Sequence, residues 1–250
     1  MNGLKGKLFF CVSMGLLLCA FAGRTDRIRV FLAGDSTMSI KQSKAWPETG
    51  WGMPFAGFFD SAVEVRNKAM NGRSTRTFIT EGRWKNIVDE MRAGDFVFIQ
   101  FGHNDESAEK KDRYTPPDSF RLNLMLFIND VRNKKGYPVL FTPVSRRRFK
   151  DGKAVATHET YSKLVREVAA ETAVTCIDLD SLSISLYQKV GEEPSRMLFL
   201  QLQPGEHPNY PEGKMDNTHF NELGARLVAQ LVLAEVKNKI PKLAAHIRKP

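Results

Sequence analysis

From Ile28 onward, short and mostly apolar runs alternate with longer stretches in which apolar residues recur every three to four positions. The short runs are Ile28–Ala33, Val63–Asn67, Phe96–Phe101, Val139–Thr142 and Cys176–Leu179. Runs of this length and composition predict strands covered on both faces, as in a parallel sheet. The longer stretches predict the helices between them. Pro117–Lys134 opens on Pro-Pro-Asp and sets Phe120, Leu124, Phe127, Ile128 and Val131 on one stripe. His158–Glu171 repeats the spacing with Tyr161, Leu164, Val165 and Val168, and Asn221–Lys239 with Leu223, Leu227, Val228, Leu231 and Val232.

No repeat, low-complexity tract or linker divides the chain. Pro194–Lys214, with prolines and glycines gathered after Leu202, reads as a long loop of the kind that borders sites. The pattern therefore predicts one α/β domain: a three-layer α/β/α sandwich on a five-stranded parallel sheet, spanning residues 23–250.

The first residues stand apart. Lys5 and Lys7 precede an apolar run from Leu8 to Phe21, and Ala20 and Ala22 supply the small residues of a leader cleavage site. Residues 1–22 are expected to be a signal peptide cut after Ala22, giving a secreted protein, periplasmic or extracellular. The run is too short for a comfortable membrane span. Cys19 would allow a lipid anchor, but a leucine stands where that signal prefers a small residue. Cys176 is the only cysteine after Ala22, so an intrachain disulfide is excluded and a small core residue expected.

Charge changes the picture little. The formal balance is +9, or +7 once two leader lysines are removed. The bases are scattered apart from Arg146-Arg147-Arg148, with no aromatic-and-basic strip that would point to nucleic acid. An acidic polymer remains a suitable partner for such a surface.

Candidate chemistry lies at the strand ends, where parallel sheets bind ligands. The first run ends in Gly34-Asp35-Ser36-Thr37, the second leads to Asn71-Gly72-Arg73-Ser74, and the third ends in Gly102-His103-Asn104-Asp105. Asp216-Asn217-Thr218-His219 precedes the last helix. A hydroxyl, a flexible glycine, a side-chain amide and an Asp/His pair are the parts that acyl transfer needs. Ser36, on a strand-to-helix turn, is the candidate nucleophile at a helix N-terminus. His219 is the candidate base, and Asp216, three residues earlier, would orient it. The backbone N–H groups of Ser36 and Gly72, with the Asn104 amide, would form the oxyanion hole.

These four ordered blocks resemble those of the SGNH (GDSL-type) hydrolases, and they span nearly the whole chain after residue 22. Glu48-Thr49-Gly50-Trp51-Gly52, Asn71–Phe78, Phe98–Asp105 and Asp216–Ala225 are similar to the rhamnogalacturonan acetylesterases within that superfamily. The resemblance implies a flavodoxin-like fold and a metal-independent carbohydrate esterase without a cofactor. Its implied substrate is acetylated rhamnogalacturonan of pectin, a plant polysaccharide. Other acetylated glycans such as xylan, or small esters, are the first alternative, and a glycan-binding module without catalysis is the second.

Three further residues are candidate substrate contacts. His103 is expected to line the pocket. Arg73, with Arg76 beside it, offers a guanidinium to a substrate carboxylate. Trp51 is expected near the groove as a stacking surface, whereas Trp84 is expected to pack under Val88 and Met91. His158 and His207 read as structural, and His246 as part of a tail. The spacing around His158 lacks the second histidine of a helical zinc motif.

Overall fold

The computed structural model describes residues 27–248. The leader expected over residues 1–22, with cleavage after Ala22 and the alternative anchor at Cys19, lies outside the described residues. Strands β1 (Ile28–Gly34), β2 (Val63–Asn67), β3 (Phe96–Gln100) and β4 (Tyr137–Phe141) are followed by a minimal hairpin of β5 (Phe149–Lys150) and β6 (Lys153–Ala154). Strand β7 (Thr175–Ile177) then completes a five-stranded parallel sheet of order β2-β1-β3-β4-β7.

Alternation along the strands builds the two faces of the sandwich. Val30 and Leu32 of β1 point into one core with Phe98 and Phe141, under α1 (Gly52–Phe55), α6 (Leu179–Val190), α7 (Glu222–Lys239) and α8 (Pro241–Ala244). Phe31 and Ala33 point into the other with Val97, Ile99 and Leu140. That core is covered by α2 (Thr75–Thr80), α3 (Arg83–Glu90), α4 (Pro117–Asn133) and α5 (Glu159–Thr172). The expected stripe of α4 is buried residue for residue, and Trp84 packs 4.1 Å from the Phe127 ring centroid while its indole N–H donates to Asp130. Each such fully buried aromatic contributes about 1.5–3 kcal/mol from apolar burial.

Register brings the chemistry to one edge. Leu32 lies beside Asn67, and Gly34 beside Gln100, so the segments following β1, β2 and β3 leave the sheet together. At the opposite ends, the buried Arg29–Asp95 ion pair ties β1 to the turn entering β3.

Some boundaries differ from the sequence expectation. The last strand stops at Ile177 because Asp178 caps α6, its carboxylate accepting the Ser181 N–H, so Leu179 begins a helix. Cys176, on that edge strand, is half-buried rather than central, and burial pushes its thiol up to about 11. The expected loop Pro194–Lys214 is instead a 3-10 turn (Pro194–Leu198), strand β8 (Phe199–Leu202) and the approach to β9 (Lys214–Phe220). β8 and β9 pair antiparallel outside the main sheet. The prolines and glycines after Leu202 occupy the turn joining them. His246 is no loose tail: its ring nitrogen lies 3.2 Å from the Asp60 carboxylate, and Ile247 bridges to Phe59.

Phe127→Ala should lower stability by about 3–5 kcal/mol, because Trp84 and Phe101 lose a fully buried partner. Leu122→Ala, on the exposed face of the same helix, should change stability by less than about 0.5 kcal/mol. Urea midpoints of the two variants check both values.

Candidate active site

The chain leaves β1 through Asp35 into a single turn at residues 36–38, where the Met38 and Ser39 N–H groups donate to the Asp35 carbonyl. No regular helix follows, so Ser36 does not sit at a helix N-terminus as expected, and a macrodipole plays no part. The turn is fixed by local bonds instead. The Asp35 carboxylate accepts the Thr37 N–H at 2.9 Å and its hydroxyl at 2.8 Å. Asp35 is fully buried, and that burial raises its pKa above the ordinary carboxylate range against the pull of these bonds. The hydroxyl of Thr37 also accepts from the Gln100 amide, whose oxygen accepts the Trp51 indole N–H at 2.7 Å.

His219 stands opposite on β9. From Phe199 to Gln201 the hairpin takes two steps along β8 while its partner advances five residues, from Phe220 back to Met215. Three extra residues therefore bulge out between the paired positions. The bulge curls around Asp216, whose Oδ1 accepts the N–H groups of Thr218 (2.7 Å) and His219 (3.0 Å). A regular strand would send residues three apart to opposite faces; the bulge sets them together. Asp216 Oδ2 lies 2.8 Å from His219 Nδ1, and His219 Nε2 lies 2.9 Å from Ser36 Oγ. Partial burial works against the charge on Asp216, but the ring bond, the His219 charge and the two backbone donors outweigh it and hold the carboxyl near 2. Gln201 and Arg147 brace the bulge through the Asp216 carbonyl and through Asn217.

Ser36, Gly72, His103, Asn104 and His219 all line one open cavity of about 460 Å³. Gly72 has a φ of 74°, and a Cβ there would approach Arg113 Nη1 to 3.3 Å, so the turn favours glycine on both counts. The Asn104 amide donates one proton to the Arg73 carbonyl at 3.0 Å, and its oxygen accepts from Arg113 at 3.3 Å. Both contacts agree on its orientation and leave a second N–H for the cavity. His103 is buried; that burial, with the nearby positive groups, keeps it neutral by holding it well below the usual histidine range. Asp105 turns away from the cavity and holds the start of α2, accepting the Thr75 N–H and hydroxyl.

Two expected substrate contacts are not in the cavity. Trp51 is wholly buried and lies behind the nucleophile turn, packed on Phe55 and Phe141, so it cannot stack on a ligand. Its neighbours Gly50 and Gly52 explain the placement. A Cβ on Gly50 would fall 2.1 Å from the Ser39 carbonyl, so this segment passes directly against the backbone of the turn. Arg73 is already engaged by Glu81 and by the Asn71 carbonyl, and Arg76 by the Lys111 carbonyl.

The cavity also holds residues that the motifs did not mark. Lys110, Arg113 and Arg146 line it with positive charge, beside Glu48 and Glu109. Arg146 opens the basic triplet noted above, which was the available signal. Lys41, buried behind Ser36, carried no signal that periodicity or motif could show. Among the described residues, no group of three or more His, Cys, Asp or Glu side chains is placed to hold a metal ion.

Residues 32–227 match the GDSL-like lipase/acylhydrolase family. The chain is 43% identical over 222 residues to the rhamnogalacturonan acetylesterase RhgT of Bacillus subtilis, covering 88% of this chain and 94% of that one. It is 28% identical to a rhamnogalacturonan acetylesterase of Emericella nidulans, covering 83% and 84% of the two chains. These relatives bear out the resemblance read from the motif blocks. Among solved structures, the YxiM protein of Bacillus subtilis superposes with a TM-score of 0.72 at 24% identity, over 85% of this chain and 57% of that longer one. The acetylxylan esterase Axe2 of Geobacillus stearothermophilus does so with a TM-score of 0.57 at 15% identity, over 85% and 96%. Both share the fold.

Two carboxylates in this region should respond oppositely to pH. Burial, against the Thr75 bonds, pushes Asp105 up to about 7. The folded protein thus keeps a proton that the unfolded chain loses near 4, and stability from this group declines as pH rises from about 4 through 7. Asp105→Asn should remove that decline in urea midpoints measured at pH 5 and pH 8. The contribution of Asp216 is present above about 4 and is lost only as pH falls through about 2.

Proposed function

The chain belongs to the GDSL-like lipase/acylhydrolase family and hydrolyses ester bonds; from that premise we propose a secreted esterase that removes O-acetyl groups from pectic rhamnogalacturonan. The observation that carries the mechanism is the unbroken relay from Asp216 through His219 to Ser36, with bonds of 2.8 and 2.9 Å opening into one cavity. Ser36 Oγ attacks the acetyl carbonyl carbon while His219 Nε2 takes its proton. The resulting oxyanion faces the Ser36 and Gly72 N–H groups and the free Asn104 N–H, and each such donor is worth about 2.7–4 kcal/mol in the transition state. Collapse breaks the ester bond, and His219 returns the proton to the departing sugar oxygen. Water, deprotonated by His219, then attacks the acetyl-serine carbonyl carbon; the bond to Ser36 Oγ breaks, His219 returns the proton to that oxygen, and acetate leaves. Asp216, ionised throughout, holds the ring orientation and balances the imidazolium.

The substrate assignment is supported by the acetylesterase names of the 43% and 28% identical relatives and by the positive rim of Lys110, Arg113 and Arg146. A galacturonate-containing polymer is an anion that such a rim attracts. Arg113 and Arg146 take the role first considered for Arg73. The leader pattern of residues 1–22 supports secretion.

Purified protein should release acetate from acetylated rhamnogalacturonan faster than from acetylated xylan, with activity unaffected by a chelator. Ser36→Ala should abolish release from both without changing the unfolding midpoint. Equal rates on the two polymers would remove the pectic assignment and leave the esterase. Added salt should raise KM for the acidic polymer and leave KM for a neutral acetate ester unchanged. A salt-insensitive polymer KM would count against the basic rim as the recognition surface.

A further inference from the structure

Behind Ser36 lies an ammonium that the reaction scheme above does not use. The Lys41 side chain is completely shielded from solvent. An ammonium has three protons, and Lys41 Nζ has three oxygens within reach, each from a different part of the site. They are the Ser36 carbonyl at 2.6 Å, Asn71 Oδ1 at 2.8 Å and Glu48 Oε1 at 2.6 Å. Ser36 is the proposed nucleophile, Asn71 precedes the proposed oxyanion glycine, and Glu48 lines the cavity. The same Glu48 oxygen lies 4.0 Å from His219 Nε2, on the side of the ring that faces Ser36. The peptide after Ser36 is therefore held at both ends, with Lys41 on its carbonyl and Asp35 on the following N–H.

We propose that Lys41 is a positioning residue for acyl transfer, which locks the Ser36 turn to the Gly72 turn and keeps Glu48 from competing with Ser36 for His219. The inference rests on the acyl-transfer reading of the site. A carboxylate facing Nε2 attracts the protonated ring and favours it over the neutral base that the reaction needs. Paired with Lys41, Glu48 presents almost no net charge to the ring. Burial disfavours the ammonium and pushes its pKa below the ordinary lysine range, and Glu48 opposes that shift.

The other charged or titratable groups around His219 are Asp216 on its own strand, Asp35 on the turn after β1, and Tyr210 from the hairpin loop. His103 and Arg146 stand across the cavity. Lys41 and Glu48 form a compensating pair on the Nε2 side.

The test is the pH–rate profile for p-nitrophenyl acetate, with unfolding midpoints recorded alongside. Lys41→Met should lower kcat about 100-fold, since misplacing reacting groups by an ångström costs about that factor, with little change in KM. It should also move the acidic limb to higher pH by about one unit, because Glu48 then acts on His219 uncompensated. Glu48→Gln keeps an oxygen for Lys41 but leaves the ammonium charge alone, and should move the limb to lower pH. Lys41→Met with Glu48→Gln removes both charges and should return the limb to its wild-type position. If Lys41→Met does not fold, the shift to lower pH in Glu48→Gln and the absence of a shift in the double variant still decide the matter. A limb that stays fixed in Glu48→Gln, or a double variant displaced from wild type, overturns the proposal. Failure of the wild-type protein itself to hydrolyse the ester would instead overturn the acyl-transfer reading.

Discussion

A 2.9 Å hydrogen bond joins Ser36 to His219 across 183 residues of chain, and most of the architecture can be understood as what holds its two ends still. One end hangs from β1, an interior strand of the parallel sheet. The other lies on a hairpin outside that sheet, where no ladder of the main sheet restrains it. The hairpin is anchored by packing: Phe199 and Phe220 are buried against each other and join the core beneath α7. The Thr49 N–H further ties the segment before Trp51 to the Phe220 carbonyl at 2.8 Å. The Ser36 end and the His219 end therefore share one intermediate layer.

That layer is the stretch from Lys41 to Gly52. Gly50 and Gly52 let its backbone lie against the turn of Ser36, Trp51 fills the space beneath, and Lys41 and Glu48 meet behind and beside the reacting atoms. Burial of Lys41 and Asp35 runs against ordinary solvation. Lys41 is tolerated because oxygens from three separate segments satisfy it, which makes the arrangement cooperative and intolerant of single changes, whereas Asp35 is held through one oxygen by Thr37 of its own turn. Tyr210 and Asn209, from the turn of the hairpin, close the layer by donating to carbonyls of residues 43–46.

The main sheet was legible in the sequence because strands buried on both faces advertise themselves as short apolar runs. The helix stripes were legible because α4, α5 and α7 each bury one face, but in α7 small residues (Gly224, Ala225 and Ala229) share that face with Val228 and Val232, and Leu223, expected to face inward, is exposed. The hairpin was not, since Phe199-Leu200-Gln201-Leu202 is too short to outweigh the prolines and glycines that follow. The proposed catalytic residues were legible because loop residues with side-chain chemistry stand out at strand ends. Trp51 was misplaced because a tryptophan beside glycines looks alike whether the glycines free a loop or admit a close backbone contact; only the packing distinguishes them. Lys41 and Arg113 were missed because one cation in a chain with 37 lysines and arginines carries no mark of where it folds.

The most direct test of the relay is covalent. The protein would be treated with a fluorophosphonate, digested, and the modified residue located by mass spectrometry. The expected result is stoichiometric labelling of Ser36 alone in the wild-type protein, with labelling at least 100-fold slower in His219→Ala, since the base that activates the hydroxyl is gone. Labelling of another residue, or equal rates in the two proteins, would contradict the assignment of Ser36 and His219 as nucleophile and base.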